Sequence, residues 1–362
     1  MSEEITPFRI DIPQADLDDL RDRLDRTRWP DQIPDTGWDY GVPVGYVRSL
    51  VDYWRDGYDW RRWESALNAY PQFTTEIDGQ NIHFLHVRSA RADALPLILT
   101  HGWPGSIVEY LRIIEPLSRD FHLVIPSLPG YGFSGPTKER GWNRYRTARA
   151  WAELMRRLGY DRYGTVGNDG GAFVAPEQGR IDPEHVVGVH VTQIFSFPSG
   201  DPDEMARLTP EEHEGLKVLQ WFYENKMSFN ILHSQQPQTL SYGICDSPVG
   251  LLGWLVQLMG DDLDPDFVLT NVMLYWLTGT ATSATRFYYE DAKAPAPTGP
   301  TTVPIGLAMF KGDFISMRTF AERDHRDIRS WHAYDEPGGH YAAHLTPEVL
   351  AADIRDFYRT LR

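Results

Sequence analysis

The chain has 362 residues, 41% hydrophobic and 13% aromatic, enough for one large domain or two smaller ones around a sizeable core, and this argues against disorder. A formal net charge of −16 with no Lys/Arg-rich run repels phosphates, so neither nucleic acid nor an anionic membrane surface is an expected partner. The single cysteine, Cys245, excludes an intramolecular disulfide and a cysteine-based metal cluster, and fits a reducing cytoplasm as the expected compartment.

The first residues carry no basic region followed by an apolar run, so no signal peptide is expected. The longest apolar stretches, such as Leu95 to Leu99, fall far short of the roughly 20 residues that a membrane helix needs, so a soluble chain without an anchor is expected. Residues 1 to about 70 read as helical. Leu17, Leu20 and Leu24 share a face within Asp16 to Arg26, and Val47, Leu50, Val51 and Trp54 do so within Tyr46 to Trp54. Many aromatics but few continuous apolar runs suggest a segment that wraps another domain.

Strand-like runs follow at Phe73–Ile77, Ile82–Val87, Leu95–Thr100 and His122–Pro126. Helical patterns come at Ile107–Leu117 and Arg146–Leu158, with further strands at Tyr163–Val166 and Val186–Val191. Strands alternating with helices imply a mostly parallel sheet. From about 196 to 300 the rhythm breaks into helices and loops, with Leu251–Met259 and Val268–Leu277 the clearest. Ala294 to Pro304 reads as a connector. Strand and helix then return at Ile305–Phe310, Ser330–Tyr334 and Pro347–Leu361. The expected layout is an N-terminal helical meander over 1–72 packed on the core, a core from 73–195 and 301–362, and a helical lid over 196–300. Lids of this kind sit over active sites.

The sharpest local signal is Tyr163-Gly-Thr-Val-Gly-Asn-Asp-Gly-Gly-Ala172. A strand enters a glycine-flanked turn and a helix follows, the shape of a nucleophile elbow. Asp169 holds the central place, with Gly167 two before it and Gly171 two after; no Gly-x-Ser-x-Gly occurs in the chain. Asn168 and Asp169 also suit an ordinary turn, since both tolerate left-handed backbone. The glycines do not make a dinucleotide-binding pattern. As a nucleophile, a carboxylate is ionised at neutral pH and needs no base, and attack on an alkyl carbon gives an ester. That suits epoxides or alkyl halides rather than peptides.

Hydrolysing the ester calls for an oxyanion hole. Gly170 would give one amide, and Trp103, in His101-Gly-Trp-Pro-Gly-Ser106 after a strand, the other; a plain Pro/Gly reversal is the bland alternative. The base is expected at His340, in Gly338-Gly-His340. His340 and His344 stand four apart as zinc ligands do, but no further ligands accompany them, so no metal is expected and His344 reads as a packing residue. Asp313 is favoured as the acid that orients His340, because the order Asp169, Asp313, His340 matches that of α/β-hydrolases. Asp335 and Glu336 lie nearer in sequence.

Further segments fit one family in the right order: Pro7-Phe-Arg-Ile10, Arg28-Trp-Pro30, Gly37-Trp-Asp-Tyr-Gly41, Tyr53 through Trp60, Ile77-Asp-Gly79, Asp246 through Leu251 and Tyr275-Trp-Leu-Thr278. Over nearly its whole length the chain resembles the microsomal-type epoxide hydrolases, in particular their soluble bacterial members. The resemblance implies an α/β-hydrolase fold with a mostly parallel central sheet flanked by helices, a helical lid insertion and an N-terminal wrapping meander. It also implies a cofactor-independent activity in which lid tyrosines hold the epoxide oxygen. One of these maps onto Tyr288, with Tyr289 as the fallback. The other maps onto Phe229, which has no proton to donate. Either Tyr223 or Tyr242 substitutes, or one tyrosine works alone, or the substrate or reaction differs. Gly170 stands where the family often has Trp.

The reading is an epoxide hydrolase that forms a vicinal diol through an ester on Asp169, with Trp254, Phe229 and Tyr289 as substrate contacts. An apolar or aryl epoxide is the expected partner, and a second copy of the chain, as a homodimer, is kept as a possible one. The rivals are a haloalkane dehalogenase-like hydrolase using the same Asp–His–Asp logic and a catalytically altered binding homologue.

Overall fold

The computed structural model describes residues 3–361. Among these residues one sheet of nine strands is built from β1 (Thr6–Phe8), β2 (Gln72–Ile77), β3 (Gln80–Val87), β4 (Leu95–Thr100), β5 (Phe121–Pro126), β6 (Tyr163–Gly167), β7 (Val186–Val191), β8 (Ile305–Lys311) and β9 (Ile328–Pro337), in the order β1-β2-β3-β5-β4-β6-β7-β8-β9. The pairs from β1 to β5 are antiparallel, and those from β5 through β9 are parallel. Strands of a parallel sheet are covered on both faces, which is why β4 and β5 read as unbroken apolar runs: Leu97, Ile98, Leu99, Leu123, Val124 and Ile125 are all fully buried.

The chain runs from β4 to β5 on one side and then returns to β6 on the other, so the sheet has a topological switch point between β4 and β6. Loops at the carboxyl ends of such strands diverge and leave a crevice. The helices that follow these strands, α4 (Leu111–Ser118) and α5 (Arg144–Arg157) among them, cover the sheet, with α5 against α6 (Gly170–Ile181).

The N-terminal segment holds α1 (Gln14–Asp25), α2 (Val44–Asp56) and α3 (Trp60–Leu67). The helix α2 buries Val47, Leu50, Val51 and Trp54, one stripe at helical spacing, each contributing roughly 1.5–3 kcal/mol. Asp59 caps α3 by accepting the Arg61 N–H. Two details differ from the sequence expectation. Thr6–Phe8 is a strand paired with β2, too short to show an alternating pattern of its own. The helices α1–α3 rest on lid helices as well as on the core, where the Leu67 carbonyl of α3 accepts from Gln72 of β2 at 2.9 Å. On the lid side, the Trp54 indole N–H meets Met273 Sδ at 3.2 Å, the Tyr58 hydroxyl meets that of Thr270 at 3.0 Å, and the Tyr46 hydroxyl donates to the Gly260 carbonyl at 3.0 Å.

Between β7 and β8 lie α7 (Pro202–Met205), α8 (Pro210–Lys226), α9 (Ser228–Gln235), α10 (Pro237–Ile244), α11 (Pro248–Met259), α12 (Pro265–Leu277) and α13 (Ala281–Ala292). Proline at the first turn starts five of these, and a Thr209–Glu212 capping box fixes the start of α8. The chain ends through α14 (Arg318–Asp324), α15 (Ala342–Leu345) and α16 (Pro347–Arg359), the last packed beside α4. No described helix is long and apolar enough to cross a membrane.

Candidate active site

Asp169 caps the amino end of α6 directly after β6, with φ +52° and ψ −117°. An L-residue held there costs about 1–3 kcal/mol, strain that the surroundings must impose. They do so by close approach. A Cβ on Gly171 would lie 1.8 Å from the Thr100 carbonyl oxygen, and one on Gly102 would lie 2.0 Å from Asp169 Oδ1. Gly170 differs: a Cβ there would meet only ordinary contacts, from 3.4 Å outward, so nothing in the turn itself demands glycine at that position.

The two carboxylate oxygens have different surroundings. Oδ1 accepts the Trp103 N–H at 2.9 Å, and the Gly170 amide also bonds this carboxylate. Oδ2 lies 3.8 Å from His340 Nε2. On its other edge, His340 Nδ1 donates to Asp313 Oδ1 at 3.1 Å. The side chains of Asp169 and His340 are 21% and 27% exposed, so the crevice stays reachable, whereas Asp313 is 9% exposed. Asp335 and Glu336 are exposed on β9 and do not meet the histidine.

Burial pushes the Asp169 carboxyl up, while His340 and the two amides pull it back toward the ionised form. Burial alone would depress the His340 imidazole, but the charge and hydrogen bond of Asp313, together with Asp169 and Glu109, outweigh it and hold the ring at about 9. The resting histidine is therefore an imidazolium facing Asp169.

Sequence reasoning missed several supports. Gln193, two residues beyond β7, accepts the Asp169 N–H at 2.8 Å through its carbonyl, while its amide donates to Asn168 Oδ1 at 2.8 Å and also to Asp313 Oδ2. One side chain thus braces both the elbow and the orienting acid. Asn168 donates to the His340 carbonyl at 3.0 Å and to Glu109 at 3.2 Å. Glu109 is buried, which lifts its carboxyl to about 8, with His340 and Asn168 pulling the other way. His101 accepts the Leu128 N–H at Nε2, so its Nδ1–H donates to the Gly102 carbonyl and stiffens the oxyanion loop. The lid helix α12 grips the same loop, with Tyr275 donating to the Gly105 carbonyl at 2.6 Å and Ser106 donating to Asn271 Oδ1 at 2.6 Å.

Across from Asp169, Phe229 stacks on the Trp103 indole with centroids 5.3 Å apart, and Tyr288 meets the same indole edge-on at 6.2 Å. Burial, then the Asp169 charge, keeps the Tyr288 phenol protonated well above its usual range. Tyr289 turns away, with Lys293 over its ring at 3.3 Å. Tyr223 and Tyr242 are 62% and 76% exposed, so neither replaces the hydroxyl that Phe229 lacks. Trp254 stands one layer back, bonded to His233. His344 is buried and stacked on Phe267 at 3.9 Å, a packing role.

The arrangement is an elbow carboxylate with two amides, a His–Asp pair and a lid phenol. A family model for the epoxide hydrolase N terminus matches residues 5–110, and one for the alpha/beta hydrolase fold matches residues 96–235. A putative epoxide hydrolase of Stigmatella aurantiaca is 40% identical, over 99% of this chain and 86% of that one. The chain belongs to the epoxide hydrolases. Epoxide hydrolase 1 of Sus scrofa is 30% identical to this epoxide hydrolase, covering 98% of it and 88% of the relative. The Aspergillus niger epoxide hydrolase structure superposes with a TM-score of 0.89 at 29% identity, over 99% and 97% of the two chains. The juvenile hormone epoxide hydrolase of Bombyx mori gives 0.86 at 26% identity, over 99% and 95%. The α/β-hydrolase fold expected from the sequence is borne out by these matches.

Proposed function

We propose that this enzyme opens epoxides with water through a covalent ester on Asp169. The observation that carries the reading is the split environment of one carboxylate: Oδ1 sits on the Trp103 amide and Oδ2 points toward His340. Oδ2 attacks a ring carbon, the C–O bond breaks, and its electron pair moves onto the epoxide oxygen. Tyr288 donates its proton there. Oδ1 becomes the ester carbonyl oxygen, already resting on the Trp103 amide, with the Gly170 amide placed to join it.

Ester formation also changes the base. It neutralises Asp169, one of the charges that holds His340 at about 9, so the imidazolium gives up its proton more readily once the ester exists. His340, oriented by Asp313, then takes a proton from water as that water attacks the ester carbonyl. The proton that the imidazolium gives up returns to the Tyr288 phenolate, and the one taken from water restores the imidazolium. Collapse of the tetrahedral intermediate releases the vicinal diol and restores Asp169.

The rings of Trp103, Phe229, Tyr288 and Trp254 favour an apolar or aryl epoxide. The single exposed thiol, Cys245, suits a reducing compartment. A haloalkane dehalogenase route would want a halide-binding indole beside the nucleophile, and Gly170 supplies none. A panel of terminal and aryl epoxides tests the reading. Diol formation is expected to fall by about 10⁴-fold or more in Asp169→Asn. Diol formation unchanged in that variant would overturn it.

A further inference from the structure

Phe229 and His233 stand four apart on α9 and so share a face. His233 is fully buried, its ring centroid 4.7 Å from Trp103, 5.1 Å from Tyr288 and 6.0 Å from Phe229. Its Nε2 lies 2.9 Å from Trp254 Nε1. An indole N–H only donates, so His233 Nε2 holds a lone pair and the ring proton is on Nδ1. Burial keeps the ring neutral, with its pKa pushed down to about 3.

Nδ1–H is thus a buried donor in a tautomer fixed by a second residue, and it has no acceptor among the described residues. Leaving such a donor unpaired costs about 1–3 kcal/mol. Its ring neighbours besides Trp254 are Trp103, Phe229 and Tyr288. His233 and Tyr288 both lie in the cluster of rings around Trp103, whose amide holds Asp169.

We propose that the His233 Nδ1–H is the second hydrogen-bond donor to the epoxide oxygen, doing from one turn along α9 what Phe229, which has no hydroxyl, cannot do. Tyr288 transfers the proton. His233 keeps its own and stabilises the alkoxide as the C–O bond breaks, and Trp254 holds it in the donating tautomer. The inference rests on the epoxide-opening reading above.

The test is the single-turnover rate of ester formation on styrene oxide, with enzyme in excess, read by acid quench and intact-protein mass, alongside the rate of ester decay. His233→Phe is expected to slow ester formation on the order of 100–1,000-fold, the range for loss of one preorganised donor, and to leave decay unchanged. Adding Phe229→Tyr to His233→Phe restores most of the rate by returning a hydroxyl. Ester formation at the wild-type rate in His233→Phe overturns the proposal, as does a slow variant that Phe229→Tyr fails to rescue. Should His233→Phe not fold, Trp254→Phe decides: it keeps the ring but frees the tautomer, so ester formation slows several-fold, and an unchanged rate overturns the proposal. A wild-type enzyme that forms no ester at all would instead remove the covalent mechanism on which the inference stands.

Discussion

At Asp169 a carboxylate is held in a left-handed conformation, faces an imidazolium and rests on two amides before any substrate arrives. In the proposed mechanism this preorganisation serves the second step, because the amides already mark the position of the ester oxyanion. Replacing His340 separates the two steps. In His340→Gln the ester is expected to form and then persist, seen as added mass equal to that of the epoxide, with turnover reduced by about 10³-fold or more. No adduct despite bound substrate would count against His340 as the base. Asp169, His340 and Asp313 were legible in the sequence because a glycine-flanked turn, a Gly-Gly-His loop and the order of acid and base are local or ordinal signals. Gln193 and Glu109 were not legible. A glutamine just past a strand and a glutamate in a helical turn carry no pattern, and their roles exist only once β7 and the oxyanion loop meet the elbow.

The lid is where elements set the chemistry. Tyr288 lies one turn before Asp291 on α13, and Asp291 is clamped by Arg144 of α5, whose backbone N–H at 3.0 Å and Nε at 2.8 Å both donate to Oδ1. Ser283 and Arg286 of α13 also donate to core carbonyls, those of Gly130 and Thr137. The clamp fixes α13, and so the phenol, against the catalytic core. Asp291→Asn leaves the half-buried Arg144 guanidinium without its counter-charge, which is expected to destabilise the fold by about 2–4 kcal/mol. Ester formation is expected to slow more than ester decay in this variant, since only the first step uses Tyr288. Thermal melts and the two single-turnover rates check this; equal slowing of both steps would mean that the clamp does not position the phenol. Apolar runs made β4 and β7 readable residue for residue. The lid helices α7 to α10 were less readable, since several are short and their apolar faces meet one another and the core only in the assembled lid.

For the molecule as a whole, the C-terminal helix is tied to the sheet through one buried carboxylate. Asp353 of α16 accepts from His190 of β7 at 2.7 Å, His332 of β9 at 2.5 Å and the Tyr334 hydroxyl at 2.6 Å. Burial alone would raise its pKa, but these donors outweigh burial and hold the carboxyl well below the usual range. A depressed carboxyl stabilises the fold above its unfolded value of about 4, and that contribution is lost as pH falls toward the folded value. Asp353→Asn is therefore expected to lose about 3 kcal/mol near neutral pH, with the gap to wild type narrowing below about pH 4. Thermal melts at pH 7 and pH 3 measure it, and a gap that is constant with pH would mean that the charge is not what stabilises the helix. The N-terminal segment shows the limit of pattern reading at this scale. Its amphipathic helices were visible, but their partners, α11 and α12, lie some two hundred residues away, and α12 in turn holds the loop that carries Trp103.

The covalent step is tested most directly by isotope placement. One turnover in heavy-oxygen water, with enzyme in excess over a terminal epoxide, is followed by mass analysis of the diol and of the peptide that carries Asp169. Water attacking the ester carbonyl leaves its oxygen in the Asp169 carboxylate and releases an unlabelled diol. Label in the first-turnover diol, with none in Asp169, would mean that water opens the epoxide directly and that no ester forms.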